Sequence, residues 1–199
     1  MKQKLINNED NEYLCVCDEA GNPLYTAARK VIHTKGLRHR VIHLWFVDEM
    51  YLYFQQRSAD KEAFPLGYDI TCAGHIDPKE SAQDACIREC EEELGITLIK
   101  QQLQPIGTYY EEMMLSKGID REFADVFLCR FPLISCKLNN EVLTVGKIKL
   151  DDIVKMLQHM QTGCDFYDLL KPQVCRLSAS DIFLHEPAYY QWLLKAILA

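Results

Sequence analysis

Alternation between apolar and polar positions marks a series of short strands along the chain. Tyr13–Cys17 reads as a strand and residues 18–23 (DEAGNP) as a turn, while 24–35 shows no single period. Residues 37–48 form a strand in which His39, Val41, His43 and Trp45 share one face. Asp48 and Glu49 read as the tip of a hairpin whose return strand is 50–56 (MYLYFQQ). A loop at 57–67 precedes a short strand at 69–73, and strands at 104–114 and 122–131 flank a turn at 116–120. Residues 141–148 make the last predicted strand, followed by a helix over 151–161 and a C-terminal helix over 178–199. Helices interleaved with strands predict an α/β fold, an α/β/α sandwich around a mixed sheet.

Between the strands at 69–73 and 104–114 the period changes to that of a helix. Ser81 is placed to cap it, with Asp84 three residues on, and Gly95 to end it in a left-handed turn. Over those residues Glu89, Glu92 and Glu93 fall at i, i+3 and i+4 and share a face, while Cys86, Ile87, Cys90 and Leu94 form an apolar stripe. Three carboxylates on one face repel one another unless a cation neutralises them, and oxygen-only ligands favour Mg²⁺, with Mn²⁺ also suited. The alternative is a solvated acidic face, which leaves the spacing of Gly74, Glu80, Arg88 and Gly95 unexplained.

Composition changes this picture little. A formal net charge of −7 argues against a nucleic-acid polymer or an anionic membrane as partner, yet leaves a small phosphorylated substrate open if a metal ion supplies positive charge. Nine cysteines with no C-x-x-C pair, a polar start (MKQKLINNEDNEY) and no long apolar run lead us to expect a cytoplasmic protein whose cysteines are small buried hydrophobes.

Residues 74–96 (GHIDPKESAQDACIRECEEELGI) keep the spacing G-x5-E-x7-R-E-U-x-E-E-x-G-U, with U apolar, and resemble a complete Nudix box. The resemblance covers about 12–163. It implies a Nudix domain over 1–165; the remaining residues, 166–199, are expected as a C-terminal helical extension whose apolar content packs it on the domain or on a second subunit of a homodimer. It further implies metal ligands at Glu89, Glu92, Glu93 and the Gly74 carbonyl, and structural roles for Glu80, Arg88 and Gly95. Residues 33–46 (HTKGLRHRVIHLWF), 55–61 (QQRSADK), 64–69 (FPLGYD) and 73–76 (AGHI) are similar to the isopentenyl-diphosphate-isomerase-like branch of the family. The W-P-G-x-W-D-like loop of that branch is altered here to FPLGYD.

The isomerase carries a cysteine just before its Gly-His pair, where this chain has Ala73; Cys72 would point to the opposite face. With the box intact, the resemblance implies a Mg²⁺-dependent hydrolase that cleaves a diphosphate compound by attack of metal-activated water. The alternatives are an isopentenyl-diphosphate isomerase and a non-catalytic diphosphate-binding module. Glu92, Glu93 and Glu122 are the expected catalytic residues, Glu122 by its match to a catalytic glutamate of the isomerase. Glu111 and Glu112 are weaker candidates for the base. Arg57 and Lys61 are candidates for substrate phosphate. His33, His39 and His75 match three metal-ligand histidines of the isomerase and form a candidate second metal site, against the alternative of structural histidines. His159 and His185 carry no motif and are expected at the surface, and Tyr109 and Tyr110 in the core.

Overall fold

The computed structural model describes residues 12–61, 63–115 and 118–199. The polar start of the chain and part of the predicted turn at 116–120 lie outside the described residues. At the centre is β3 (Arg38–Phe46), buried on both faces along most of its length. It pairs in parallel with β8 (Gly118–Cys129), and antiparallel with β1 (Tyr13–Cys17) and β6 (Cys72–His75). With β2 (Pro23–Ala28) and β7 (Gln104–Leu115) these strands form a mixed sheet in the order β2-β1-β3-β8-β7, with β6 alongside β3. A second sheet runs β11-β10-β9-β4-β5, made of β4 (Tyr51–Arg57), β5 (Tyr68–Ile70), β9 (Val142–Lys149), β10 (Gly163–Asp168) and β11 (Val174–Ser178).

The alternation along β3 assigns its two faces to different layers. Ile42, Leu44 and Phe46 pack with Cys86, Cys90 and Leu94 of α2 (Ala82–Leu94). Val41 and Trp45 pack with Leu52 and Phe54 of β4, Ile153 and Met156 of α3 (Leu150–Leu157), and Tyr189, Tyr190 and Leu193 of α5 (Pro187–Leu198). The fold is therefore a mixed α/β arrangement with helices on both sides, as the pattern predicts. All nine cysteines are free thiols, six of them buried. Among the described residues no helix is long and apolar enough to cross a membrane.

Several elements differ from the sequence expectation. Asp48 makes the expected turn, its Oδ1 accepting from the Met50 and Tyr51 amides at 2.9 and 2.8 Å. The flanking strands do not form a hairpin ladder: among the described residues their backbones pair only through a Val47–Leu52 bridge, and β3 and β4 diverge into separate sheets. The single strand expected at 69–73 is broken at Thr71, where the chain leaves one sheet for the other. The Thr71 hydroxyl donates to the Tyr53 carbonyl at 2.6 Å and accepts from the Phe46 amide at 3.1 Å. The ambiguous stretch 24–35 divides into β2 and α1 (Arg29–Lys35). The expected helical extension begins instead with the β10–β11 hairpin, whose short strands bury few side chains, Cys164, Phe166 and Leu177. The expected helix over 178–199 is interrupted, as α4 (Ala179–Ile182) and α5. Tyr109 packs against the core, but Tyr110 is exposed, its hydroxyl donating to Glu112 at 2.5 Å.

Helix α5 shares its hydrophobic cluster with the central strand. Tyr190 is fully buried and donates to the Ile182 carbonyl at 2.8 Å. Replacing it by alanine leaves a cavity, and Tyr190→Ala is expected to cost ~3–5 kcal/mol in urea unfolding with an unchanged m-value. A neutral substitution would place α5 outside the cooperative unit.

Candidate functional site

Helix α2 forms where the sequence punctuates it. Ser81 Oγ accepts from the Asp84 amide at 3.2 Å, and Gly95 closes the C-terminus at φ 65°. Arg88 then ties the helix to the loop before it. Its guanidinium donates to Glu80 Oε1 and Oε2 at 3.0 and 2.9 Å, to the His75 carbonyl at 3.0 Å and to Glu89 Oε1 at 2.7 Å. Glu80 also accepts from the Asp77 amide at 3.2 Å. The glycine at 74 is a spatial requirement: a Cβ there would lie 2.2 Å from Glu89 Cδ, so the carboxylate occupies the space of the absent side chain.

The three box glutamates do not converge equally. Glu93 is 5% exposed and its Oε2 has no hydrogen-bond partner. Burial pushes its carboxyl up to about 8, with Glu89 and Glu141 adding to the effect and Lys61 and the Cys72 thiol opposing it. Glu89 is held up at about 7, chiefly by burial against the pull of Arg88, with Glu92 and Glu141 adding. Glu92 stands at the rim, 59% exposed in its side chain and 3.5 Å from Arg88. The unpartnered Glu93 oxygen, beside a Glu89 carboxylate braced by Arg88, suits a hard cation. Lys61 is ion-paired with Glu141, which places Glu141 near this group. Arg57 is turned inward, donating to Asp69 Oδ2 at 2.8 Å and to the Ala63 carbonyl at 2.9 Å.

On β6 the side chains alternate, so Cys72 lies in the α2 layer while Ala73 packs in the opposite cluster. His75 follows Ala73 to that second face, where its ring meets those of His33 and His39 at centroid distances of 5.5 and 5.3 Å; His33 and His39 are 5.2 Å apart. His39 is fully buried. Its Nδ1 lies 3.3 Å from the Leu37 carbonyl, and its Nε2 has no partner and sits 3.7 Å from both Asp120 and Glu122. His75 Nδ1 is 3.0 Å from Glu12. Burial would raise the Glu12 carboxyl, but the hydrogen bond and charge of His75, with Arg29, bring it down to about 2. Burial, then its two histidine neighbours, hold His39 neutral down to about 3. A neutral imidazole with one nitrogen engaged and the other turned inward, as at His39, is what a metal ion requires.

Glu122 lies on this second face and not among the box glutamates. Register explains it: His39 is opposite Glu122 on β8, which is opposite Glu111 on β7. Asp120 precedes Glu122 by two residues and shares its face. Burial, then Asp120 and Glu111, push the Glu122 carboxyl well above its ordinary range. Sequence reading missed Asp120 and His43 as members of this group, though the alternation Asp120-x-Glu122 and His39-x3-His43 carried the signal. It also misplaced His185, which is 8% exposed, while His159 is exposed as expected. His185 Nδ1 is 2.7 Å from Glu111 Oε1 and Nε2 is 3.0 Å from Asp69 Oδ1. Burial would lower His185, but the two carboxylates push it up to about 10, so it stands as an imidazolium between them. No local motif announces this contact, because its partners are 74 and 116 residues away. Glu112 lies apart, exposed and paired with Arg121 at 3.2 Å.

The raised carboxyls of Glu89 and Glu93 set the sign of a pH effect in chelator-treated protein. Each folded value lies above the ordinary 4.5. Their contribution to stability is complete below about pH 4.5 and is lost as pH rises through 7 and 8. The melting temperature is therefore expected to fall between pH 6 and 9, less steeply in Glu93→Gln, and added Mg²⁺ should restore the wild type most at the upper end. Equal slopes for wild type and variant would contradict the assignment.

Comparison with known proteins agrees with this architecture. The NUDIX domain family profile matches residues 37–154. A relative described as an uncharacterised Nudix hydrolase of Clostridium acetobutylicum is 31% identical, over 95% of this chain and 98% of its own length. An isopentenyl-diphosphate Δ-isomerase of Ruegeria pomeroyi is 31% identical over 63% of this chain and 71% of its own. Among solved structures, DR0079 from Deinococcus radiodurans shares the fold, with a TM-score of 0.58 at 18% identity over 75% of this chain and 88% of that one. The chain belongs to the Nudix hydrolase family.

Proposed function

We propose that the protein hydrolyses a substituted diphosphate, X–O–P–O–P, with Mg²⁺ or Mn²⁺, and that X includes a nucleoside or a comparable polar group. One observation carries this reading: the buried Glu93, with an unpartnered oxygen, beside a Glu89 carboxylate seated against Gly74. Such a pair is stable at neutral pH with a cation between the chain and the diphosphate, so Glu89, Glu93 and the Gly74 carbonyl would hold it, with Glu92 at the rim. Divalent-cation binding supplies charge neutralisation on the diphosphate and acidifies the attacking water. In the reaction the water oxygen bonds to phosphorus, the bond to the bridging oxygen breaks, and a carboxylate at the rim takes the water's proton. Arg88 fixes the box carboxylates and the His75 carbonyl in one frame, a positioning role. Lys61, paired with Glu141 beside Glu93, supports phosphate binding better than the inward-turned Arg57.

A second reading concerns the other face of β6. His39 belongs both to the cluster with His33 and His75 and to one with Asp120 and Glu122, which favours a transition-metal site there, with Glu122 as a ligand. Isomerase chemistry is the less favoured use of it. Ala73 offers no acid or base, and the Cys72 thiol is fully buried in the α2 layer beside Glu93, its pKa raised well above the ordinary value by burial and then by Glu93.

The reading is tested by turnover of a panel of nucleoside diphosphates and triphosphates, nucleotide sugars, coenzyme-like diphosphates and prenyl diphosphates, with Mg²⁺ or Mn²⁺. Glu92→Gln and Glu93→Gln are each expected to lower kcat by about 10²-fold or more on the best substrate. Undiminished activity in both would overturn the box assignment. Conversion of isopentenyl diphosphate to its isomer would overturn the hydrolase reading.

A further inference from the structure

The row of side chains that ends at His39 continues past Glu122 to a second group. His43, Glu111 and Glu122 each offer a ligand atom, and these atoms lie within 4.8 Å of one another; the same holds for His39, Asp120 and Glu122. Glu122 belongs to both sets. All five residues are buried. We infer that Glu122 bridges two metal sites, and that His43, Glu111 and Glu122 form a second site for a divalent first-row transition metal beside the one at His33, His39 and His75. The inference rests on the reading of those three histidines as metal ligands, and extends it to residues that reading does not use.

The surroundings of His43 and Glu111 support it. Glu111 is 3% exposed, and only its Oε1 is engaged, by His185; Oε2 has no partner. His185 is fixed in turn by Asp69, and Asp69 by Arg57, so the Glu111 carboxylate is held in orientation with one oxygen left over. His43 is 2% exposed, and its Nδ1 lies 2.9 Å from the Tyr189 hydroxyl, which accepts from the Trp45 indole at 2.8 Å. Metal binding at Nε2 requires the tautomer in which Nδ1 donates to the phenol oxygen, with the phenol proton turned away from the imidazole. His43 and Glu111 thus each have an outer partner, the arrangement that orients metal ligands in proteins. An ion about 2.0–2.2 Å from each donor spans at most about 4.4 Å between opposite ligands, so donors that lie within 4.8 Å of one another need only draw together slightly on binding. The mixed imidazole and carboxylate donor set suits Mn²⁺, Fe²⁺ or Zn²⁺ better than Mg²⁺.

The test counts ions with Mn²⁺ as the probe. The full chain carrying Glu89→Gln and Glu93→Gln, which silences the box, is loaded with Mn²⁺, dialysed, and examined by elemental mass spectrometry and electron paramagnetic resonance. Two ions per chain and the spectrum of an exchange-coupled pair are expected. Glu111→Gln and, separately, His43→Asn should each leave one ion with the spectrum of isolated Mn²⁺, and circular dichroism checks that both variants fold. One ion per chain, kept by both variants but lost in His33→Ala, would overturn the second site while leaving the histidine site standing. No retained ion in any form would overturn both.

Discussion

The bonds of Arg88 to Glu80, to the His75 carbonyl and to Glu89 hold the candidate site in place from the box helix. A guanidinium has five donors in a rigid plane, so it can bind a carboxylate in two places while reaching a backbone carbonyl. Here that geometry joins helix α2, the loop before it and the end of β6. Because His75 and Glu89 lie on opposite sides of β6, the same cation sets the position of both candidate metal centres. Its own charge also keeps Glu89 from rising further, so Arg88 tunes the carboxylates as well as placing them.

How much of this was legible in the sequence follows the range of the interactions. Ser81, Gly95 and the spacing of Glu89, Glu92 and Glu93 are local, and helix geometry makes their consequences readable at once. The strand alternation placed His39 and His43 on one face, but which strand lay beside them depended on the parallel β3–β8 register, which no pattern in either strand specifies. The hairpin at Asp48 illustrates the limit: the turn chemistry was readable, while the parting of β3 and β4 into separate sheets is decided by packing on both sides. β10 and β11 escaped notice because short strands with few buried residues carry little alternation. His185 was read as a surface residue since its partners, Asp69 and Glu111, are distant in sequence.

The polar groups buried on the β3–β7–β8 face are costly in an apolar interior unless each finds a partner. Asp69, Arg57, His185 and Glu111 satisfy one another in a continuous chain, whereas His39 Nε2, Asp120 Oδ1 and Glu111 Oε2 are left unpaired. The unpaired atoms cluster, and their clustering, more than their number, distinguishes a site from an imperfectly satisfied core.

Thr71 carries a consequence for how the two sheets can move. Its single hydroxyl joins the Tyr53 carbonyl of one sheet to the Phe46 amide of the other, at the residue where the chain crosses between them. A crossing one residue long leaves no slack for the two sheets to swing apart as a clamshell. The two sheets are thereby expected to move as one frame, with the box helix on one side of it and α5 on the other.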